Sequence, residues 1–160
     1  MNKKREAFLT LFRIGYIGKA PGTWGTLFGL IVGIPILYYS ASILFALAAL
    51  LGIIAIREID IYEKDSGIHD AKHIVIDELV GIWITMSIAG FNIVSILFSF
   101  VFFRLYDIWK PSIIGKVDKH TEGGLGVVGD DALAGFFAGI TTLMLVMLLA
   151  FVGFDVGVIK

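Results

Sequence analysis

Residues Thr26–Ile56 read TLFGLIVGIPILYYSASILFALAALLGIIAI, 31 positions in a row without a charged side chain. One helix of that length would be about 46 Å long, whereas the hydrocarbon core of a bilayer is about 30 Å thick. One helix of this length is therefore too long for a single crossing. Pro35 and the break at Tyr38–Ala41 favour two helices joined by a tight turn, so the stretch predicts a membrane hairpin.

Two further stretches, Leu79–Phe103 and Ala132–Phe154, also lack charge. The 160 residues are 58% apolar and only 17% charged, whereas soluble domains carry about 25% charged residues. Three such stretches cannot all be buried inside one small soluble domain. The sequence therefore predicts an all-α fold, a polytopic membrane helical bundle formed by a single domain, residues 1–160.

Breaks in the remaining apolar stretches set the expected helices. The sequence AGFN at Ala89–Asn92 divides the second stretch into helices near Ile74–Ala89 and Ile93–Lys110. The third stretch predicts one span, Asp131–Val152. Together with the first hairpin, this gives about five transmembrane or partly spanning helices.

The N-terminus predicts a further helix that lies on the membrane surface. Its basic residues alternate with large apolar ones, a pattern typical of an amphipathic helix on anionic lipid. No small-residue cleavage site follows, so we do not expect a signal peptide. The residues concerned are Lys3, Lys4, Arg5 and Arg13, with Phe8, Leu11 and Phe12.

The five-helix arrangement collects charge on one side of the membrane. Of the 13 Lys and Arg residues, only Lys160 falls on the far side, and Asp155 is the only acid there. Because cytoplasmic loops collect Lys and Arg, the charged side is expected to be cytoplasmic. If each of the first two stretches crossed only once, Asp77 and Asp107 would lie on opposite faces. The hairpin arrangement is favoured because it brings the polar segments together.

Charge and cysteine content exclude two classes of function. The net charge of -1 excludes a nucleic-acid binder driven by overall charge, so no nucleic-acid partner is expected. The chain has no cysteine, which excludes disulfides and thiolate chemistry. The sequence does not fix an oligomeric state.

Carboxylates gather at the membrane-proximal ends of the expected helices. Ionisable groups at this depth are costly and usually functional. Adjacent carboxylates repel one another, and a hard divalent cation with oxygen ligands, Mg²⁺, would relieve that repulsion. The candidate metal ligands are Asp77, Glu78, Asp107, Asp130 and Asp131.

Two basic residues accompany these acids. Arg104 and Asp107 are three residues apart and share a helix face, and Lys110 follows one turn later. A local ion pair is the simpler interpretation. Alternatively, Arg104 and Lys110 bind a phosphate group beside the metal.

Other polar segments leave alternatives open. The segment Gly15–Leu27, GYIGKAPGTWGTL, is either a turn before a membrane helix or a phosphate-binding loop whose candidates are Thr23, Gly25 and Thr26, with Thr23 or Thr26 capping the helix. Asp130 and Asp131, expected to open a helix after a flexible glycine segment, fit the helix dipole as well as a metal.

The two histidines of the polar segment before Asp77 are also ambiguous. His69 and His73 have the four-residue spacing of a metal pair but lack the glutamate of the metalloprotease motif. Interfacial packing is therefore the favoured role for both.

Five motifs in this order resemble the phosphatidylglycerophosphatase A family, over about residues 22 to 135. Two departures are visible: KPSII lacks the second proline usual in the family, and Thr26 and Val128 replace the usual Ser and Met. Hydroxyl and apolar character are retained at the latter positions. The motifs are GTWGT (22–26), HD (69–70), IVIDELVGIW (74–83), FRLYDIWKP (103–111) and GGLGVVGDDALAG (123–135).

The resemblance implies a Mg²⁺-dependent enzyme of the bacterial cytoplasmic membrane, with its site on the cytoplasmic face. Such an enzyme converts phosphatidylglycerophosphate into phosphatidylglycerol and inorganic phosphate. Asp107, Asp131, Arg104 and Lys110 would be catalytic. The phosphate would be removed either by an activated water or through a phosphoaspartate intermediate formed on Asp107 or Asp131.

The remaining acids of the polar segments, Asp70 and Asp118, are expected to support the metal ligands from outside. Their loops lie on the same side of the membrane as the carboxylate cluster in the five-helix arrangement.

Three rival functions fit the sequence less well. A small membrane cation transporter would carry its acids near the bilayer midplane and would leave Arg104 and Lys110 without a role. CDP-alcohol phosphotransferases carry paired DG and AR motifs that this chain lacks. Acid-phosphatase-like lipid phosphatases need a Ser-Gly-His motif, which is also absent.

Overall fold

The computed structural model describes residues 3–111, 114 and 121–157. Within these residues the chain forms six α-helices and one short 3₁₀ helix, and no strand. The predicted all-α membrane-type bundle is confirmed. The helices are α1 (Lys3–Leu9), α2 (Pro21–Tyr39), α3 (Ala41–Ser66), α4 (Ile76–Ala89), α5 (Ile93–Trp109) and α6 (Gly123–Phe151), with the 3₁₀ helix at Ile14–Tyr16.

The N-terminal helix α1 is shorter than expected. It ends at Leu9 because the following Leu11, Phe12 and Arg13 have φ values of 47°, 56° and 77°, which a right-handed helix does not allow. Arg5 Nε donates to Glu58 Oε2 on α3 over 2.7 Å. The helix is thus tied to the bundle by an ion pair rather than extending to Arg13.

The first hairpin is confirmed. Helix α2 ends at Tyr39 and α3 begins at Ala41, with the Ser40 side chain accepting a hydrogen bond from the Ile43 N–H. Pro35 lies inside α2 and does not end it. Helix α3 continues to Ser66, ten residues beyond Ile56, the end of the uncharged stretch. Its last turns are therefore polar.

The second hairpin is built from shorter helices. Helices α4 and α5 have 14 and 17 residues, or about 21 and 26 Å, less than the roughly 30 Å of a hydrocarbon core. Within the described residues, α2, α3 and α6 are long and apolar enough to span a membrane. Helix α4 packs against α2, α3, α5 and α6, so it is the central helix of the bundle.

Helix α6 begins at Gly123, eight residues before Asp131. The prediction of a flexible glycine segment before this helix is therefore wrong. Asp60 Oδ1 on α3 accepts a hydrogen bond of 2.7 Å from the Gly124 N–H, which caps the helix start. A Cβ on Gly124 would overlap the Ile56 carbonyl oxygen. The glycines therefore permit close packing of α6 on α3, and they place Asp130 and Asp131 in the third turn instead of the first.

Candidate functional site

A polar cavity of about 150 Å³ opens between the polar ends of α4, α5 and α6. All five carboxylates predicted as metal ligands line it. Asp77 and Asp107 therefore lie at the same end of the bundle, which excludes the arrangement in which each apolar stretch crosses once. The lining residues are His69, Asp70, Asp77, Glu78, Asp107, Lys110, Gly126, Val127, Asp130 and Asp131.

Three of these carboxylates form a compact cluster. Asp77, Glu78 and Asp131 each place one oxygen within 4.8 Å of the other two. Asp77 and Asp131 are only 8% and 4% exposed. Asp77 Oδ1 and Glu78 Oε2 are buried without a hydrogen-bond partner among the described residues. Because unpaired buried carboxylate oxygens are costly, this cluster fits a bound cation, and its all-oxygen donors suit Mg²⁺.

The adjacent acids of α4 and α6 behave differently. Asp77 and Glu78 both join the cluster. On α6, Asp131 joins it, whereas Asp130 Oδ2 lies 2.5 Å from Lys110 Nζ. Asp130 Oδ1 also accepts from the Asp131 N–H over 2.9 Å. Asp130 is therefore held mainly by Lys110 and by its own helix, and its role as a metal ligand stays a prediction.

The two predicted phosphate-binding cations are paired with acids of the site. Arg104 Nη1 lies 2.5 Å from Asp107 Oδ2 and 3.4 Å from Thr26 Oγ1. Lys110 is the C-cap of α5 with φ 43°, and this left-handed conformation ends the helix with its side chain at Asp130. Arg104 reaches the cavity through Asp107, while Lys110 lines it directly. Lys110 can therefore face an anion in the cavity directly, whereas Arg104 is not among the described residues that line it, and its phosphate-binding role stays a prediction.

The start of α2 is organised differently from expectation. The helix begins at Pro21 with Ala20 as N-cap, so neither Thr23 nor Thr26 caps it. Instead Thr26 Oγ1 donates to the Gly22 carbonyl over 2.8 Å.

Helix α2 nevertheless approaches the cavity closely at one point. A Cβ on Gly22 would overlap Glu78 Oε1 and lie 3.1 Å from Arg104 Nη1. Gly25 is buried against Val75. Thr23, Gly25 and Thr26 are not among the described residues that line the cavity, and their phosphate-binding roles stay predictions.

The two histidines have different environments. The His73 ring stacks on Tyr16 at 5.1 Å and meets Tyr62 edge-on at 5.6 Å, which confirms the packing interpretation. His69 lines the cavity, and its side chain is 56% exposed. The packing interpretation is therefore wrong for His69.

A glutamate that the sequence reasoning did not single out holds the segment before α4. Glu63 Oε1 lies 2.7 Å from His69 Nδ1 and accepts from the Asp70 N–H over 3.1 Å. Asp70 lines the cavity, and its support of the metal ligands stays a prediction, whereas Asp118 lies outside the described residues. The only sequence signal for Glu63 was its place six residues before His69.

Comparison with known proteins decides the family. The family model of phosphatidylglycerophosphatase A matches residues 7–146. The chain belongs to the phosphatidylglycerophosphatase A family. This membership places the chain among the lipid phosphatases, and it confirms the resemblance carried by the five motifs.

Curated relatives agree with this assignment. Phosphatidylglycerophosphatase A of Haemophilus influenzae is 39% identical over 132 residues, 79% of each chain. The Escherichia coli protein of the same name is 38% identical over 129 residues, covering 78% of this chain and 73% of its own. A Bacteroides thetaiotaomicron protein, provisionally named a phosphatidylinositol-3-phosphatase, is 32% identical over 147 residues, 84% of this chain and 92% of its own. No solved structure matches the chain.

Proposed function

We propose that this phosphatase removes the terminal phosphate of phosphatidylglycerophosphate and releases phosphatidylglycerol and inorganic phosphate. The observation that carries the proposal is the three-carboxylate cluster in a polar cavity at one end of an apolar helical bundle. The family and the names of two relatives support the substrate. We further propose that the reaction requires Mg²⁺, with Asp77, Glu78 and Asp131 as its ligands.

When bound, Mg²⁺ would polarise the phosphoryl oxygens and lower the pKa of a nearby water. Lys110 and Arg104 supply positive charge that offsets the negative phosphate. Arg104 holds Asp107 through their ion pair, so this carboxylate is fixed at the cavity wall. From there Asp107 can either take a proton from an attacking water or attack phosphorus itself.

An apolar hollow supports a lipid substrate. Its volume is about 470 Å³, and it lies beside the same helix α4 that carries Asp77 and Glu78. Phe28 and Val32 of α2, and Leu79 and Trp83 of α4, contribute apolar walls, while Lys4 lines it as a cation. A hollow of this composition is compatible with an acyl chain and an anionic headgroup.

We propose that the chain is a multi-pass protein of the bacterial cytoplasmic membrane with its site at the cytoplasmic face. The positive-inside pattern of the sequence supports this orientation. The position of the carboxylates argues against the cation-transporter alternative. Asp77 and Glu78 lie in the first turn of α4, and Asp107 lies in the last turn of α5, so we infer that these acids lie near one membrane face rather than near the bilayer midplane, where transport sites lie.

The test is phosphate release from phosphatidylglycerophosphate in detergent micelles. Phosphatidylinositol 3-phosphate serves as the competing substrate, because one relative carries that name. We expect faster turnover of phosphatidylglycerophosphate, loss of activity with a chelator and recovery with Mg²⁺. Full activity in the metal-free protein would contradict the metal proposal, and preference for the inositol lipid would contradict the substrate.

Variants of the site complete the test. Asp107→Asn and Asp131→Asn should each reduce turnover by at least about 100-fold, while both proteins still insert and fold. Asp155→Asn is the matched control, because Asp155 is an exposed acid beyond the apolar end of α6. A near-normal rate for Asp107→Asn would overturn the site assignment.

A further inference from the structure

The wall of the cavity outside the carboxylate cluster contains a histidine held by a glutamate on another element. His69 Nδ1 lies 2.7 Å from Glu63 Oε1, and the same oxygen accepts from the Asp70 N–H over 3.1 Å. Asp70 has φ 48°, a left-handed conformation that is uncommon for a residue other than glycine. Glu63 thus fixes both the ring and an unusual backbone turn at the edge of the cavity.

This contact selects the tautomer of the ring. An ionised carboxylate only accepts hydrogen bonds, so Nδ1 carries the proton donated to Glu63. The opposite nitrogen, Nε2, is then the position that can gain or lose a proton. A carboxylate that orients a histidine in this way is the arrangement found behind general acid–base histidines.

His69 also lines two hollows. One is the carboxylate cavity, and the other is an open hollow of about 650 Å³. Because the side chain is 56% exposed, water can exchange protons with it. The charged groups that line the open hollow are Asp60, Glu63, Lys64 and Glu122. Those that line the cavity are Asp70, Asp77, Glu78, Asp107, Lys110, Asp130 and Asp131.

We propose that His69 is a further catalytic residue, the general acid for the leaving group, and that Glu63 is its positioning residue. The inference rests on the proposed phosphomonoester hydrolysis. A bond forms from phosphorus to the nucleophile, either a water that gives its proton to Asp107 or the Asp107 carboxylate itself. As the bond between phosphorus and the ester oxygen breaks, the ester oxygen keeps the bonding electron pair and takes the proton from His69 Nε2. The product is the neutral alcohol of the lipid headgroup. Water in the open hollow then returns a proton to Nε2.

The first experiment measures kcat and KM of His69→Ala on phosphatidylglycerophosphate across pH. We expect kcat to fall by about 100-fold or more, the range for loss of a general acid, with KM changed by less than about threefold because the interaction acts at bond cleavage. Because a general acid acts only in its protonated form, the wild-type rate should decline on the alkaline side. The variant should lack that decline, and added imidazole should restore part of its rate.

The matched control is His73→Phe, which keeps the aromatic stack on Tyr16 and changes the other histidine near the site. Its kcat and its alkaline decline should remain those of the wild type. Glu63→Gln keeps a side-chain oxygen that accepts from Nδ1 and should lose less than about tenfold in kcat. Glu63→Ala removes the acceptor and should approach His69→Ala.

Distinct outcomes separate this inference from the proposed function. Wild-type protein that releases no phosphate would overturn the function and the inference together. An active wild type with His69→Ala within about threefold of its kcat, or with the alkaline decline intact, would overturn only the role of His69. Loss of kcat in His69→Ala with no pH change and a lowered Tm would show a structural role instead, and it would also refute the inference.

Discussion

Replacing Asp131 with asparagine should stabilise the metal-free protein while removing its response to Mg²⁺. The reason lies in the cluster geometry, in which the three oxygens are within 4.8 Å of one another. At an effective dielectric constant of about 20, two unit charges at that separation repel by about 3.5 kcal/mol. Asp131→Asn removes two of the three pairs, or about 7 kcal/mol when all three carboxylates are ionised. A proton shared within the cluster would relieve part of this repulsion.

Even 1 kcal/mol of this relief would raise Tm by roughly 2–4 °C for a domain of this size. For the wild type, Mg²⁺ at 100 times its Kd adds about 2.7 kcal/mol, which corresponds to a rise in Tm of roughly 5–11 °C. Asp131→Asn should lose most of that rise, because its ligand set lacks one charge.

The assay is thermal unfolding in detergent micelles, followed by tryptophan fluorescence, with chelator and then with excess Mg²⁺. Asp155→Asn, an exposed acid outside the cavity, should resemble the wild type in both conditions. The reasoning fails if Asp131→Asn melts below the wild type in chelator, or if Mg²⁺ raises both Tm values equally. The first result would mean that the three carboxylates do not repel one another strongly, and the second would mean that Asp131 does not help to bind the cation.

Three further predictions test other parts of the site. Gly22→Ala adds a methyl group against Glu78 and Arg104, so phosphate release should fall at least about tenfold with insertion unchanged. Lys110→Ala should mainly raise KM in the same assay, because its charge acts on substrate and transition state alike; a loss confined to kcat would contradict this. In this cysteine-free chain, Ser40→Cys should label from the periplasmic side and Asp70→Cys from the cytoplasmic side. Labelling of both from one side would contradict the hairpin topology.

The sequence predicts the fold correctly where the length of an uncharged stretch or a helix-breaking segment determines the helix boundaries. The 31 uncharged residues exceed one bilayer crossing, and the turn falls at Ser40 as that argument required. The start of α6 was missed because a run of glycines favours a loop when it is taken alone. What makes the run helical is the close packing of Gly124 on Ile56 and the cap from Asp60, contacts between residues more than 60 positions apart.

The functional site likewise contains contacts that local spacing predicts and contacts that depend on packing between distant segments. Arg104 and Asp107 share a face because they are three residues apart on one helix, and their ion pair follows from that spacing. The contact between Lys110 and Asp130 joins two helices, so no local pattern reveals it. Glu63 was overlooked for a similar reason: its partner His69 follows the end of α3 and turns back beside it. Sequence spacing predicts which residues share a helix face, whereas contacts between helices depend on how the helices pack.

The register between α4 and α6 depends on a pair of glycines, and this yields a last prediction. A Cβ on Gly135 would overlap the Gly81 carbonyl oxygen. These glycines lie one turn beyond Glu78 and Asp131, so the distance between the two carboxylates depends on this contact. Thr85 Oγ1 lies 2.9 Å from the Gly81 carbonyl oxygen and 3.1 Å from that of Gly135. Its single proton can be shared between the two oxygens, and this contact resists a shift of the helices.

Gly135→Ala should therefore push the helices apart and weaken Mg²⁺ binding, since the ligands of a site must be held within about 0.5 Å of the productive geometry. We expect the Mg²⁺ concentration for half-maximal activity to rise at least about tenfold. Gly52→Ala is the control: Gly52 faces Val80 and Val128, and a Cβ there would meet both at ordinary contact distances of 3.5 and 3.6 Å. If Gly135→Ala keeps the wild-type Mg²⁺ requirement, then the carboxylates are held by something other than the close approach of α4 and α6.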